Sequence, residues 1–158
     1  MHEHRPPASG SHPGAHRDPN QDWATQRTEA ARVHQERLQA RRNAEHQRAE
    51  ALVAQFIRAA GQAGLTPEPL RVRGYGGRGS ARTPLRGWYL RADASSGLGA
   101  DGSFYLLTAP LTLIDRIRGV RPEPTRPPLV LGAGGKDGES LDLAEALERL
   151  LPGWRALD

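Results

Sequence analysis

The chain has 158 residues, 37% of them apolar, no cysteine and a formal charge of +4. That length suits one domain of ordinary size. The lack of cysteine excludes disulfides, thiolate metal sites and cysteine nucleophiles. Nothing approaches the roughly 20 consecutive apolar residues of a membrane span, and the N-terminus has no apolar stretch of signal-peptide type, so a soluble cytoplasmic protein without membrane contact is expected.

Residues 1–21 mix His, Pro, Gly, Ser and Asn with no periodic apolar residue. Ordering them would cost entropy with no burial to offset it, so they read as a disordered tail. Four of the six histidines, His2, His4, His12 and His16, fall in this tail at spacings that match no rigid metal site. Residues 1–51 hold only four large apolar residues, Met1, Trp23, Val33 and Leu38, so the core must come almost wholly from residues 52–158.

From Asp22 the character changes. Residues 22–63 contain no proline and no glycine before Gly61, and are dominated by Ala, Arg, Glu and Gln, which favour a helix, with Asp22 as its expected N-cap. The two halves differ. Residues 22–48 have almost no apolar stripe and read as a projecting arm carrying Arg32, Arg37, Arg41, Arg42 and Arg48. Residues 49–63 place Ala49, Leu52, Val53, Phe56, Ile57, Ala60 and Ala63 on one helical face, which should pack on a domain spanning 49–158. Gly64 ends the helix as a C′ residue, and Pro67 and Pro69 prevent its resumption.

The remainder reads as short strands. Leu70–Arg73 is the first, with Leu70 and Val72 on one face; residues 74–84 are expected to be a glycine-rich loop without regular structure, and Leu85–Arg91 the next strand. Asp101-Gly102 is a hairpin signal before the strand Ser103–Thr108, which should pair with a short strand around Leu98. Residues 110–119 suggest a short helix with Leu113, Ile114 and Ile117 inward, Pro122–Pro128 an extended connector, and Leu129–Leu131 a last strand. A final helix is expected over Leu143–Leu151, with Asp142 as N-cap, Glu145 completing a capping box, and Leu143, Leu147, Leu150 and Leu151 buried. The expected fold class is α+β: a long N-terminal helix, a small antiparallel β-meander and a C-terminal helix packed on the sheet, both helices on one face.

Charge is distributed unevenly. The densest basic run is Arg71, Arg73, Arg78, Arg82, Arg86 and Arg91, opposed locally only by Glu68, while residues 127–158 are acidic. Tyr75, Trp88 and Tyr89 interleave with these arginines, the combination that holds single-stranded nucleic acid. Trp88 shares a strand face with Leu90 and should be buried, leaving Tyr75 and Tyr89 as the stacking candidates. Of 22 basic residues 21 are arginine, so arginine is this chain's default surface cation and its abundance alone does not argue for nucleic acid.

The loop around Lys136 lies between a strand and a helix, but Lys136 is followed by Asp137 where a P-loop needs Ser or Thr. What remains there is an anion loop using Lys136 and helix N-terminal amides. Catalytic supply is thin. His34 and His46 sit on the polar helix, and no histidine follows them, so a Ser-His-Asp triad cannot form within residues 49–158. The carboxylates Asp93, Asp101, Asp115, Asp137, Glu139 and Asp142 mostly have turn or cap roles. The sequence therefore leans away from an enzyme and calls for no cofactor and no metal. It points to a macromolecule-binding protein: a protein-interaction or assembly module using the basic helical arm, with nucleic-acid binding through segment 71–91 as the alternative and a small enzyme using carboxylates as the third reading.

Overall fold

The computed structural model describes Met1, Gly14 and residues 18–132 and 139–157; the tail reading and the tail histidines, and Lys136 with most of its loop, fall outside the described residues. Helix α1 runs from Pro19 to Ala63. It starts three residues before the expected point, so residues 19–21 belong to the helix. Asp18, not Asp22, caps it: the Asp18 carboxylate accepts the Asn20 N–H at 3.0 Å and its carbonyl accepts the N–H groups of Gln21 and Asp22. Pro19 occupies the first helical position, where its missing N–H costs nothing. Asp22 lies in the first turn, favourable to the helix dipole. Gly64 ends the helix with φ +66°.

The chain divides into two compact units, Met1–Ala40 and Arg41–Asp158, placing the division eight residues before the expected one. In the first, every described residue is exposed except Val33 and Leu38, which are half-buried. The second begins with helix residues that already meet the rest of the unit. The His46 Nδ1–H donates to the Pro127 carbonyl at 2.9 Å, and Arg126 reaches Glu50 at 2.8 Å.

In the second unit, strands β1 (Glu68–Gly74), β2 (Ser80–Tyr89), β3 (Ser96–Gly99) and β4 (Phe104–Leu106) form an antiparallel meander. Two expectations are corrected here. Residues 80–84 are strand: the glycine-rich stretch loops only at Tyr75–Gly79, where Gly76, Gly77 and Gly79 take positive φ, and Ala81 then packs inward opposite Val72. Ser103–Thr108 is not one strand: β5 (Thr108–Ala109) leaves β4 after Leu107 and pairs in parallel with β1, giving the order β4-β3-β2-β1-β5. The Leu107 N–H donates to Ser95 on one side, and its carbonyl accepts from Arg73 on the other. One stretch of chain thus pairs with β3 and with β1, and the meander curls closed on itself.

Alternation along the strands sorts side chains into two groups. Leu70, Val72, Tyr105 and Leu107 are buried inside the curl, with Leu85 and Tyr89 packed against them. On the other face Trp88 lies opposite Leu98, and Leu98 opposite Phe104; this row meets the helices. The stripe on α1 buries Ala49, Val53, Phe56, Ala59 and Ala60 there. Phe56 sits edge-on between Trp88 at 5.8 Å and Trp154 at 5.7 Å.

Beyond β5 come α2 (Leu113–Arg118), the hairpin of β6 (Val130–Leu131) and β7 (Leu141–Asp142), and α3 (Leu143–Leu150). The expected strand at 129–131 is thus one arm of a separate two-stranded sheet, not part of the meander. Helix α3 buries Leu143, Ala146 and Leu147 in the helix-facing core, while Leu150 and Leu151 are half-buried. Asp142 holds the N-cap position but makes no side-chain cap bond, so the expected capping box is absent; the Leu143 N–H instead donates to the Leu129 carbonyl. The C-terminus adds a 3-10 turn, Trp154–Leu157, that seats the fully buried Trp154.

Candidate functional site

Outward positions on β1 and β2 are set by the same alternation that buries Leu70, Val72 and Ala81. Arg71 lies directly opposite Arg82, and Arg73 opposite Ser80. Like charges directly opposite on neighbouring strands disfavour the pairing, and the side chains separate accordingly: the Arg71 guanidinium turns along the sheet and donates to Ser80 Oγ at 3.0 Å. Arg86, further along β2, donates to the Pro67 carbonyl. None of Arg71, Arg73, Arg82 and Arg86 makes an ion pair with another described residue.

Tyr75 and Arg78, in the β1–β2 loop, are exposed. Tyr89 is half-buried against the interior of the curl and its hydroxyl accepts the Arg71 N–H at 2.9 Å, so its ring is part of the packing. Trp88 is buried as expected, with its indole N–H donating to the Thr66 carbonyl. Arg91 is engaged elsewhere. It is mostly buried, donates to the carbonyls of Leu131 and Glu139, and lies 3.4 Å from Asp93. It ties β2 to the β6–β7 hairpin and stands apart from the outward arginines.

What the sequence reading missed is α2. Its aliphatic side chains were expected inward, yet Leu113 and Ile117 are each 74% exposed, Ile114 is 62% exposed, and the helix buries none of its residues. The reason lies in how α2 is attached. At its start Thr112 and Asp115 form a capping box: Thr112 Oγ1 accepts the Asp115 N–H, and the Asp115 carboxylate accepts the Thr112 N–H at 2.8 Å. At its end Gly119, with φ +84°, passes so close to β2 that a Cβ there would lie 2.8 Å from the Arg82 carbonyl, and the Val120 N–H donates to that same carbonyl. In its middle the Arg116 guanidinium donates to the Arg78 carbonyl. Polar and backbone contacts hold α2 to β2, so its apolar face is not needed for docking. Leaving it in water forgoes about 1.5–3 kcal/mol per side chain, a cost that isolated helix placement does not explain.

The same attachment gathers charge. Arg82, Arg118 and Arg121 line one concavity around Gly119 and Val120, and Arg116 lies against Gly79 beside Arg78. Asp115, the carboxylate within α2, is occupied by the cap; hydrogen bonds from the Thr112 N–H and hydroxyl hold it below the ordinary aspartate range. The result is an exposed aliphatic face, Leu113, Ile114 and Ile117, on a helix that carries Arg116 and Arg118 and is attached beside Arg78, Arg82 and Arg121.

On the helical arm, Arg32 is clasped by Glu29 and Glu36, and the Arg32 contact holds Glu29 below its usual range. Arg37, Arg41, Arg42 and Arg48 are exposed, with Arg37 in the first unit and the other three in the second. Three of the carboxylates weighed for chemistry have local partners: Asp93 bonds Ser95, Asp101 bonds Ser103 and Asp115 bonds Thr112. Burial pushes Asp93 up, but the Ser95 hydrogen bonds and the nearby Arg91 outweigh it and hold the group low. Among the described residues no cluster of His, Asp and Glu is arranged to hold a metal, and no helix is long and apolar enough to cross a membrane.

Comparison with protein-family models, with curated proteins and with solved structures finds no match to this chain.

Proposed function

We propose that this chain is a non-enzymatic protein-interaction module whose contact surface is α2 and the arginines around it. The observation that carries the reading is the exposure of Leu113, Ile114 and Ile117 on a helix that also carries Arg116 and Arg118 and sits beside Arg78, Arg82 and Arg121. Phosphates satisfy arginines but gain nothing from an aliphatic centre; an apolar protein patch edged with carboxylates satisfies both. The basic helical arm is a weaker contact, because Arg32 is already neutralised by its own helix. Nucleic-acid binding loses one of its two stacking candidates, since Tyr89 is packed and hydrogen-bonded, and it loses Arg91 to the hairpin.

The test is fluorescence anisotropy with a labelled acidic amphipathic helical peptide, single-stranded RNA and single-stranded DNA, at ~50 and ~200 mM salt. Peptide binding that persists at the higher salt and falls at least about tenfold (~1.4 kcal/mol) in Ile117→Glu supports the proposal. Sub-micromolar RNA or DNA binding that survives the higher salt, is lost when Arg71, Arg78 and Arg82 are changed together to Ala, and ignores Ile117→Glu would replace it with the nucleic-acid reading.

A further inference from the structure

Strand β3 pairs with β2 only over Gly87–Tyr89, which leaves the edge of β2 at Arg82 to another segment. The chain leaving α2 takes that edge. The Val120 N–H donates to the Arg82 carbonyl at 2.8 Å, and Gly119 comes so close at φ +84° that a Cβ would clash with the same carbonyl. Arg118 and Arg121 bracket these two residues, so backbone contacts hold both arginines beside Arg82. The three line one concavity of about 560 Å³. All three are exposed, and no described side chain forms an ion pair with any of them. Among the described residues no carboxylate and no aromatic ring lines the concavity. Asp115, the carboxylate of α2, is taken up by the Thr112 cap. The Thr83 hydroxyl in the wall donates to the Leu70 carbonyl and accepts the Leu85 N–H. The groups left to meet a ligand are the three guanidiniums.

What sets these arginines apart from the others on the surface is convergence from distant segments on one concave wall without a counter-charge. A cleft lined by one sign of charge concentrates ions of the other sign, and guanidinium forks take phosphate oxygens in pairs. A phosphate monoester carries about 1.5–2 negative charges near neutral pH, fewer than the three arginines supply, so two linked phosphates are the better match. We infer that this concavity is a binding site for a diphosphate group, held by Arg82, Arg118 and Arg121. With no aromatic face in the lining, recognition is of the phosphates and not of what they are attached to. The inference does not rest on the reading of α2 as a protein contact, because Leu113, Ile114 and Ile117 do not line the concavity.

Isothermal titration calorimetry on the full chain tests this with inorganic pyrophosphate, ADP and orthophosphate at one fixed ionic strength. Pyrophosphate should bind one-to-one with a Kd below about 100 µM, and orthophosphate at least about tenfold more weakly. Arg118→Gln and Arg121→Gln, both at exposed positions and checked by circular dichroism, should each weaken pyrophosphate about tenfold or more. A control with Arg41→Gln and Arg42→Gln together removes more charge from an exposed stretch of α1 and should leave the affinity within about twofold. ADP matching pyrophosphate supports a site open to diphosphate esters, and pyrophosphate binding more tightly than ADP supports the free anion as ligand. No saturable binding of pyrophosphate, orthophosphate binding as tightly, or an affinity that falls as far in the control as in Arg118→Gln overturns the inference. So does a single-stranded oligonucleotide that binds at ~200 mM salt and displaces pyrophosphate, since the concavity would then track a phosphodiester backbone.

Discussion

Thr112 and Asp115 let α2 form with its three aliphatic side chains in water. Because their reciprocal bonds satisfy the first amides of α2, a six-residue helix persists without burying anything, which its length alone would not allow. Thr112→Ala should cost α2 about 1 kcal/mol of local stability, seen as faster amide exchange at Asp115 and Arg116 with the core amides unchanged. The Asp115 pKa is lowered by the Thr112 N–H and hydroxyl. Its contribution is therefore fully present above the ordinary aspartate pKa and is lost as pH falls through the lowered folded value. An NMR titration should show the Thr112 and Asp115 amides moving only in that acid range; a midpoint at or above the ordinary aspartate value would contradict the cap's electrostatics. Arg91 teaches the opposite lesson about reading charge. In the sequence it is one of six arginines in a stripe, whereas in the fold it is a mostly buried fastening between β2 and the β6–β7 hairpin.

Elements fit together here through close backbone approaches as much as through apolar stripes. Gly87 on β2 meets β3 so tightly that a Cβ would stand 2.0 Å from the Leu98 carbonyl. Gly87→Ala should break the register that aligns Trp88 with Leu98, costing ~2–4 kcal/mol in chemical denaturation; a loss below about 0.5 kcal/mol, the size of an ordinary surface change, would mean the strands can separate freely. The stripe on α1 behaves as its spacing predicts, and Phe56 is its centre, fully buried between two indoles. Phe56→Ala should cost about 3–5 kcal/mol, measured the same way. The strand after the Asp101-Gly102 turn shows where periodicity stops informing. Phe104, Tyr105 and Leu107 alternate as a strand should, but which neighbour each residue pairs with depends on how far the meander has curled when the chain arrives. That is set by Leu107, which bonds Ser95 and Arg73 at once.

At the scale of the whole molecule, the unit Arg41–Asp158 holds every buried residue among those described. A chain lacking residues 1–40 should therefore unfold cooperatively, with a melting temperature within a few degrees of the full chain's, since ~1 kcal/mol corresponds to about 4–8 °C for a domain near this size. A fall much larger than that would show that the first unit contributes to the stability of the second. The same truncation should leave peptide binding by α2 intact, which separates the α2 reading from one that assigns the contact to the arm.

Much of this architecture was legible before any fold was known. The proline-free, alanine- and arginine-rich run could only be helix, the stripe from Ala49 to Ala60 could only be its packed face, and alternation around Leu70, Val72 and Trp88 assigned inward and outward positions, because propensity and periodicity are local properties of the chain. The tertiary structure alone decided the rest. It returned Leu113, Ile114 and Ile117 to water, since what holds α2 is a close approach of Gly119 to a carbonyl on another strand. It brought Arg116, Arg118 and Arg121 beside Arg78 and Arg82, residues some forty positions earlier, and it removed Arg91 and Tyr89 from the exposed surface. Hydrophobic patterning states which side chains can be buried; which of them are buried depends on contacts between segments distant in sequence, and those exist only once the chain has closed.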